Sequence, residues 1–179
     1  MTFIRTYTGI RINPLNPDAA VIDMIDIAHA LSLLCRANGH FKTFYSVGQH
    51  SINCMMEARA RGYSKKVQFA CLLHDASEAY LSDVTRPVKQ EMPQYQAIEK
   101  PLQDMIWLKY IGKALTEEEF KLVRVIDDVI LYYEFIYFMN ESIFEEKPEL
   151  KSNPTFVFEG FEQTENEFKQ LFEQLIAEI

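Results

Sequence analysis

The chain has 179 residues and a formal net charge of −8, with 18 Lys and Arg against 26 Asp and Glu. This length suits a single domain. The acidic balance argues against binding to polymeric DNA or RNA, where many cations must displace phosphate counterions. A hydrophobic content of 48% is enough to fill a core, and six glycines with seven prolines argue against a disordered chain.

The cysteine pattern and the N-terminal residues predict where in the cell the protein is located. Cys35, Cys54 and Cys71 form no CxxC, and each lies in an apolar stretch, so we expect buried, reduced thiols. Residues 1–13 have no apolar core of signal-peptide length, and no apolar run reaches the roughly 18 residues of a membrane span. The sequence therefore predicts a cytoplasmic protein that does not contact a membrane.

The predicted elements are mostly helical. Residues 3–12 alternate loosely around Gly9, a pattern compatible with a short β-hairpin. Helical periodicity and end signals then predict helices over about 18–37, 46–61, 64–80, 93–111 and 116–140, with a terminal helix opened by a Thr164–Glu167 capping box. We expect one all-α domain over residues 1–179. It would be a bundle of about six helices with its core at about 20–140 and a C-terminal extension at 146–179.

Polar residues lie at the end of the third predicted helix, whose centre is apolar on every side. His74 and Asp75 are adjacent there, and charged groups are costly in such surroundings unless they are paired or bind a metal. Glu78 lies four residues after His74, on the same predicted helix face. From spacing alone, a core histidine with a capping aspartate is an equal alternative.

Two residues on other predicted helices favour a metal site. His50 falls on the inward face of the second helix, and Asp127 interrupts the apolar stripe of the fifth. Taken alone, Asp127 would more simply pair with Arg124 or cap a neighbouring helix. Imidazole nitrogen suits divalent transition metals, however, and two histidines with two aspartates from three helices could hold one ion with positions left for water and a phosphate oxygen.

The order of His50, His74-Asp75 and Asp127 resembles the H…HD…D signature of HD-domain phosphohydrolases. The stretch from His74 to Glu78, followed by Asp83 and Pro87-Val88-Lys89, is similar to the 5′-deoxynucleotidase branch of that family. The resemblance covers roughly residues 29–138. It implies an HD-type helical bundle in which His50, His74, Asp75 and Asp127 bind one divalent transition metal ion: Co, Mn, Zn, Fe or Ni.

The resemblance also implies roles for residues around the ion. Glu78 would orient or deprotonate the attacking water, and Asp83 would contact the substrate sugar or assist that water. Arg36 is similar to the phosphate-binding arginine of the family, although the segment after it departs from the branch. Lys89 and Arg86 would add positive charge near the phosphate, with solvated surface charge as the alternative for both.

The implied activity is removal of phosphate from (deoxy)nucleoside 5′-monophosphates by attack of a metal-bound water. The same family includes enzymes that strip triphosphate from deoxyadenosine triphosphate, and residues 37–40 do not distinguish the two. A catalytically silent nucleotide-binding or scaffold protein is a third alternative. Members of the family assemble from two or more subunits, and a load of 13 Phe and 9 Tyr also favours a homo-oligomer, a dimer or larger.

Overall fold

The computed structural model describes residues 2–179, over which the chain forms eight α-helices and a short N-terminal β-hairpin. In the hairpin, β1 (Ile4–Arg5) pairs antiparallel with β2 (Arg11–Ile12). The helices are α1 (Met24–Leu33), α2 (Val47–Ala60), α3 (Lys65–Leu72), α4 (Glu78–Leu81), α5 (Arg86–Gln90), α6 (Pro93–Ile111), α7 (Glu117–Met139) and α8 (Phe161–Ala177). The predicted all-α fold and the hairpin are confirmed, and two short helices, α4 and α5, exceed the expected six.

Helix α2 lies at the centre of the bundle and packs against α1, α3, α7 and α8. A capping box fixes its first turn, because Ser46 Oγ accepts from the amide of Gln49 and Gln49 Oε1 accepts from the amide of Ser46. Gly48 permits the close packing. A Cβ at this position would lie 3.1 Å from Thr164 Cγ2 and 3.3 Å from the backbone of Leu31.

The first helix is shorter at both ends than the sequence predicts. It begins after Asp23, not at residue 18, because the Asp23 side chain accepts from the amide of Ile25 and caps the helix there. It ends at Leu33 because Leu34 and Cys35 have an extended backbone, with ψ values of 122° and 139°. Ala37 and Asn38 then have φ values of 51° and 50°, in the left-handed region that a right-handed helix does not contain.

The terminal helix also differs from its prediction. Thr164 does not cap it with Glu167, because α8 already begins after Gly160 and Thr164 is buried one turn inside the helix. Helix α8, which the sequence assigns to a C-terminal extension, contributes Phe168 and Phe172 to the main core and packs against α1, α2 and α3.

The structure can be compared with two predictions from the sequence, the burial of the cysteine thiols and the absence of a membrane span. Cys54 and Cys71 are buried free thiols, as predicted, but Cys35 is exposed because it lies between the end of α1 and the left-handed turn at 36–39. Within residues 2–179, no helix combines the length and the apolar character that a membrane crossing requires.

The irregular segment before α8 is held against α2 by polar side chains that are one turn apart on that helix. The buried carboxylate of Glu57 accepts from the backbone amides of Lys151 at 3.0 Å and Ser152 at 2.7 Å. Asn53 donates to the carbonyl oxygen of Thr155 and accepts from its amide. Side chains therefore satisfy backbone groups that no β-strand pairs here.

Replacement of Glu57 should show how much this anchoring contributes. Burial alone would raise the pKa of Glu57, but hydrogen bonds from Ser152, Arg61 and Lys151 hold it below the usual 4.5. A depressed pKa stabilises the fold above the unfolded-state value and loses that effect as pH falls through the folded-state value. We expect Glu57→Gln to lower the free energy of unfolding near neutral pH by about 1–3 kcal/mol.

Urea denaturation of both proteins across pH would measure this effect. The gap between wild type and Glu57→Gln should narrow as pH falls below about 4.5. A gap that stays constant down to acid pH would show that the charge of Glu57 does not contribute.

Candidate metal centre

Two imidazole rings, from α2 and from the residues after α3, meet inside the bundle. His50 Nε2 lies 3.2 Å from His74 Nε2. The other nitrogen of each ring faces a hydrogen-bond acceptor: His50 Nδ1 lies 2.6 Å from Glu134 Oε1, and His74 Nδ1 lies 2.7 Å from the carbonyl oxygen of Cys71. A proton on each Nδ1 leaves both Nε2 lone pairs directed at the same point.

Two carboxylates approach the same point. Asp127 Oδ1, from α7, lies 3.1 Å from His50 Nε2 and 3.8 Å from His74 Nε2. Asp75 Oδ2 lies 3.2 Å from His74 Nε2 and 3.8 Å from His50 Nε2. The structure therefore brings together the four side chains that the sequence predicts as metal ligands.

Cys54 supplies a further donor to this point. It lies one turn after His50 on α2, with its Sγ 3.5 Å from His50 Nε2. His50, Cys54 and His74 each place one donor atom within 4.8 Å of the others, and this group could hold a metal ion. Burial raises the pKa of the Cys54 thiol to about 11, so the thiol is protonated near neutral pH.

A break in the backbone allows His74 and Asp75 to act together. Adjacent residues of a continuous helix point about 100° apart. The sequence predicts one helix through residue 80, which is wrong: α3 ends at Leu72 and α4 begins at Glu78, with tight turns between them. His74 and Asp75 lie in this break and both face the cluster.

The side-chain amide of Gln103, from α6, occupies the break. Its Nε2 donates to the carbonyl oxygen of Leu73 at 2.7 Å, and its Oε1 accepts from the amide of Ser77 at 3.0 Å. In a continuous helix these two backbone groups would bond to each other. The inserted amide replaces that bond. It gives the Ser77 amide a partner and adds a second donor to the Leu73 carbonyl, which also accepts from the Ala76 amide at 3.0 Å.

The charges of the cluster favour a cation. Burial alone would raise the pKa values of Asp75 and Asp127, but the neighbouring His74 and His50 hold both well below the usual range. Burial and the Arg36 charge would lower the pKa of His50, yet the nearby carboxylates of Glu134 and Asp127 raise it well above its usual value. The cluster therefore attracts a positive charge, whether a proton or a metal ion.

Glu78, predicted to manage the proton of the attacking water, is the first residue of α4 and is only 3% exposed. Its Oε1 lies 3.3 Å from Lys89 Nζ, and its Oε2 has no hydrogen-bond partner among residues 2–179. Burial and the charges of Asp75 and Asp83 raise its pKa well above the usual value. A carboxyl of this kind can take up or release a proton closer to neutral pH than an exposed one.

Arg36, predicted to bind phosphate, is largely buried beside the cluster. Its Nη1 lies 3.5 Å from Asp75 Oδ2 and 4.0 Å from Asp83 Oδ2, and its Nη2 lies 3.3 Å from Glu134 Oε2. Burial raises the pKa of Asp83. A cavity of about 260 Å³, lined by residues of the segment 35–45, opens beside Arg36.

The two other predicted substrate cations are held by acidic side chains. Arg86 lies at the rim and bonds to Asp127 Oδ2 at 3.1 Å and to Asp128 at 2.7 Å. Asp127 is thus paired with Arg86 rather than with Arg124. Lys89 bonds to Glu99 at 2.6 Å as well as to Glu78. Lys89 therefore lies beside the cluster, whereas Arg86 contacts Asp127 from an exposed position, with 46% of its side chain accessible to solvent.

Sequence reasoning did not identify Glu134, Gln103 or the thiol of Cys54 as parts of this site. Glu134 could have been found, because it follows Asp127 by two helical turns and so shares its buried face. Gln103 carries no such signal, since its contact is made across the bundle.

Comparison with known proteins adds relatives without an assigned function. No family model matches the chain. The uncharacterized protein YfdR of Escherichia coli strain K12 is 38% identical over 112 residues, which cover 62% of this chain and 59% of the relative. The uncharacterized protein RCAP_rcc00048 of Rhodobacter capsulatus is 40% identical over 91 residues, 48% of this chain and 45% of the relative. The chain therefore spans about half the length of the curated relatives it matches.

The role of Gln103 can be tested with Gln103→Leu, which keeps most of the volume and removes both hydrogen bonds. We expect the free energy of unfolding to fall by about 1–3 kcal/mol, because the Ser77 amide loses its partner and the Leu73 carbonyl keeps only the Ala76 amide. Chemical denaturation measures the loss, and Gln94→Leu, at an exposed position of the same helix, is the control. Equal stability of Gln103→Leu and wild type would mean that the break does not depend on this side chain.

Proposed function

We propose that this chain is a metal-dependent phosphohydrolase of the HD-domain type, which removes phosphate from (deoxy)nucleoside 5′-monophosphates. One observation carries the proposal: donor atoms of His50, His74, Asp75 and Asp127 converge from α2, α7 and the break between α3 and α4.

The spacing of these atoms supports a shared cation. Donors that bind one ion at about 2.0–2.2 Å stand about 3.0–3.5 Å from each other. The separations of 3.1, 3.2 and 3.2 Å fit this range, and the two cross pairs at 3.8 Å are slightly longer. We assign the two aspartates as ligands ahead of Cys54, because each carboxylate lies 3.1–3.2 Å from an Nε2 atom whereas Cys54 Sγ lies 3.5 Å from His50 Nε2, and because the H…HD…D signature includes the aspartates.

Each side chain around the ion would have a separate role in the hydrolysis reaction. A divalent ion bound here would neutralise charge on the phosphate and lower the pKa of a coordinated water. The unpaired, buried oxygen of Glu78 is available to accept the proton of the attacking water, and Lys89 holds the other oxygen. Arg36 presents guanidinium donors that suit phosphate oxygens, and Asp83 lies beside it to contact the sugar.

Two expectations on assembly and location stay predictions. The homo-oligomer implied by the resemblance would use the apolar side chains that α7 exposes, namely Phe120, Val125, Ile136 and Tyr137. A cytoplasmic location rests on the sequence alone.

Co²⁺ titration, monitored by the visible absorption of the bound ion, can identify which side chains are the metal ligands. We expect Asp127→Asn to weaken Co²⁺ binding by more than the roughly 100-fold that loss of an outer hydrogen-bond partner costs. Cys54→Ser should bind Co²⁺ as wild type does, and Asp128→Asn is the control for charge at the rim. Loss of binding in Cys54→Ser, with Asp127→Asn unaffected, would instead identify the set of His50, Cys54 and His74.

The activity can be tested by a turnover screen of deoxynucleoside and ribonucleoside mono- and triphosphates with Co²⁺, Mn²⁺ or Zn²⁺. We expect inorganic phosphate from the monophosphates, and a fall in kcat of about 10²–10⁴-fold in Glu78→Gln, the contribution typical of a positioned acid or base. Glu99→Gln, which removes the other partner of Lys89, should retain turnover.

Product identity separates the alternatives in this screen. Inorganic triphosphate from a deoxynucleoside triphosphate would indicate a triphosphohydrolase. Nucleotide binding without turnover by a metal-loaded protein would favour the silent binding protein. Full activity of Glu78→Gln would remove that residue from the mechanism.

A further inference from the structure

Glu134 of α7 is fully buried and contacts two residues of the candidate site at once. One carboxylate oxygen lies 2.6 Å from His50 Nδ1, and the other lies 3.3 Å from Arg36 Nη2. Its pKa stays below the usual value, because His50 and Arg36 outweigh the opposing effect of burial. A buried carboxylate between two donors is held in one geometry, since movement toward either donor breaks the bond to the other.

The contact with His50 determines which ring nitrogen can bind a cation. A carboxylate at Nδ1 accepts a hydrogen bond only if the proton is on that nitrogen, so Nε2 is left with its lone pair toward the cluster. The bond also prevents rotation of the ring, which would move Nε2 away from His74 and Asp127. Outer partners of this kind orient metal-binding histidines and increase their basicity.

The contact with Arg36 limits how closely its guanidinium approaches the acids of the cluster. Nη1 lies 3.5 Å from Asp75 and 4.0 Å from Asp83, so these carboxylates compete for the cation. Glu134 holds Nη2 from the other side and fixes the plane of the group. If it were released, Arg36 would turn onto Asp75, where it would block a predicted ligand and lose its orientation toward an incoming anion.

We propose that Glu134 is a positioning residue that links the cation subsite to the anion subsite by ordering His50 and Arg36 together. The inference rests on the proposed function, because it assumes that a divalent ion and a phosphate bind here. It adds a residue that the H…HD…D signature does not include.

Two measurements on the metal subsite test whether Glu134 orders His50. We expect Glu134→Gln to bind Co²⁺ about 10–100-fold more weakly than wild type, as loss of an outer carboxylate partner typically does. Glu57→Gln is the matched control, because Glu57 is equally buried but lies outside the site, and its Co²⁺ affinity should equal that of wild type. In wild-type protein, NMR should detect a protected, strongly hydrogen-bonded Nδ1 proton on His50. Its absence would overturn the proposed orientation without reference to any variant.

Phosphate binding to the Co²⁺-saturated protein tests whether Glu134 orders Arg36, because the direction of the change in phosphate affinity distinguishes this role from a simple loss of charge. Removal of a negative charge from the site would by itself strengthen binding of inorganic phosphate. We expect Glu134→Gln to bind phosphate more weakly instead, because Arg36 is no longer oriented. Glu134→Asp keeps the charge but shortens the reach, so it should also bind phosphate more weakly than wild type. Phosphate affinities equal to or above wild type in either variant would overturn the link.

The outcomes separate this inference from the proposed function. If wild-type protein binds Co²⁺ and hydrolyses nucleotides while the Glu134 variants match it in Co²⁺ and phosphate affinity, only the role of Glu134 falls. If wild-type protein binds no Co²⁺, the metal centre, the proposed function and this inference fall together.

Discussion

The structure depends on the burial of a charged cluster inside an apolar helical bundle. Ionised groups in such a place are costly unless each has a partner, and removal of one partner is more damaging than replacement of the whole set. His50 is fully buried and is surrounded by carboxylates from α7 and from the break after α3. The rest of the bundle therefore has to hold these charges at mutual distances of about one hydrogen bond.

Helix geometry alone cannot meet that requirement. Two neighbouring side chains on a continuous helix diverge, so the use of both His74 and Asp75 needs a local opening of the backbone. The opening would leave the Ser77 amide unpaired in the core, and Gln103 accepts from it while donating a second bond to the Leu73 carbonyl. Polar complementarity from a distant helix thus shapes the site as much as the ligands do.

Much of the architecture could be predicted because its signals are local. The side chains of Ser46, Ser64 and Thr116 each accept from the backbone amide three residues later, and each caps a helix whose predicted range begins at that residue. The Thr164 cap failed although its pattern was the same. A threonine within a helix is compatible with that pattern, and only packing against Gly48 shows that Thr164 is buried instead.

By itself the sequence determined the helical class, most helix positions and the types of residue that could bind a cation, because periodicity, caps and donor chemistry are properties of neighbouring residues. The tertiary structure alone decided that Gln103 reaches the residues after α3, that a helix predicted as continuous opens at His74, and that Arg86 pairs with Asp127. Those contacts join residues dozens of positions apart, and no local pattern encodes a distance between helices that meet only when the core is packed.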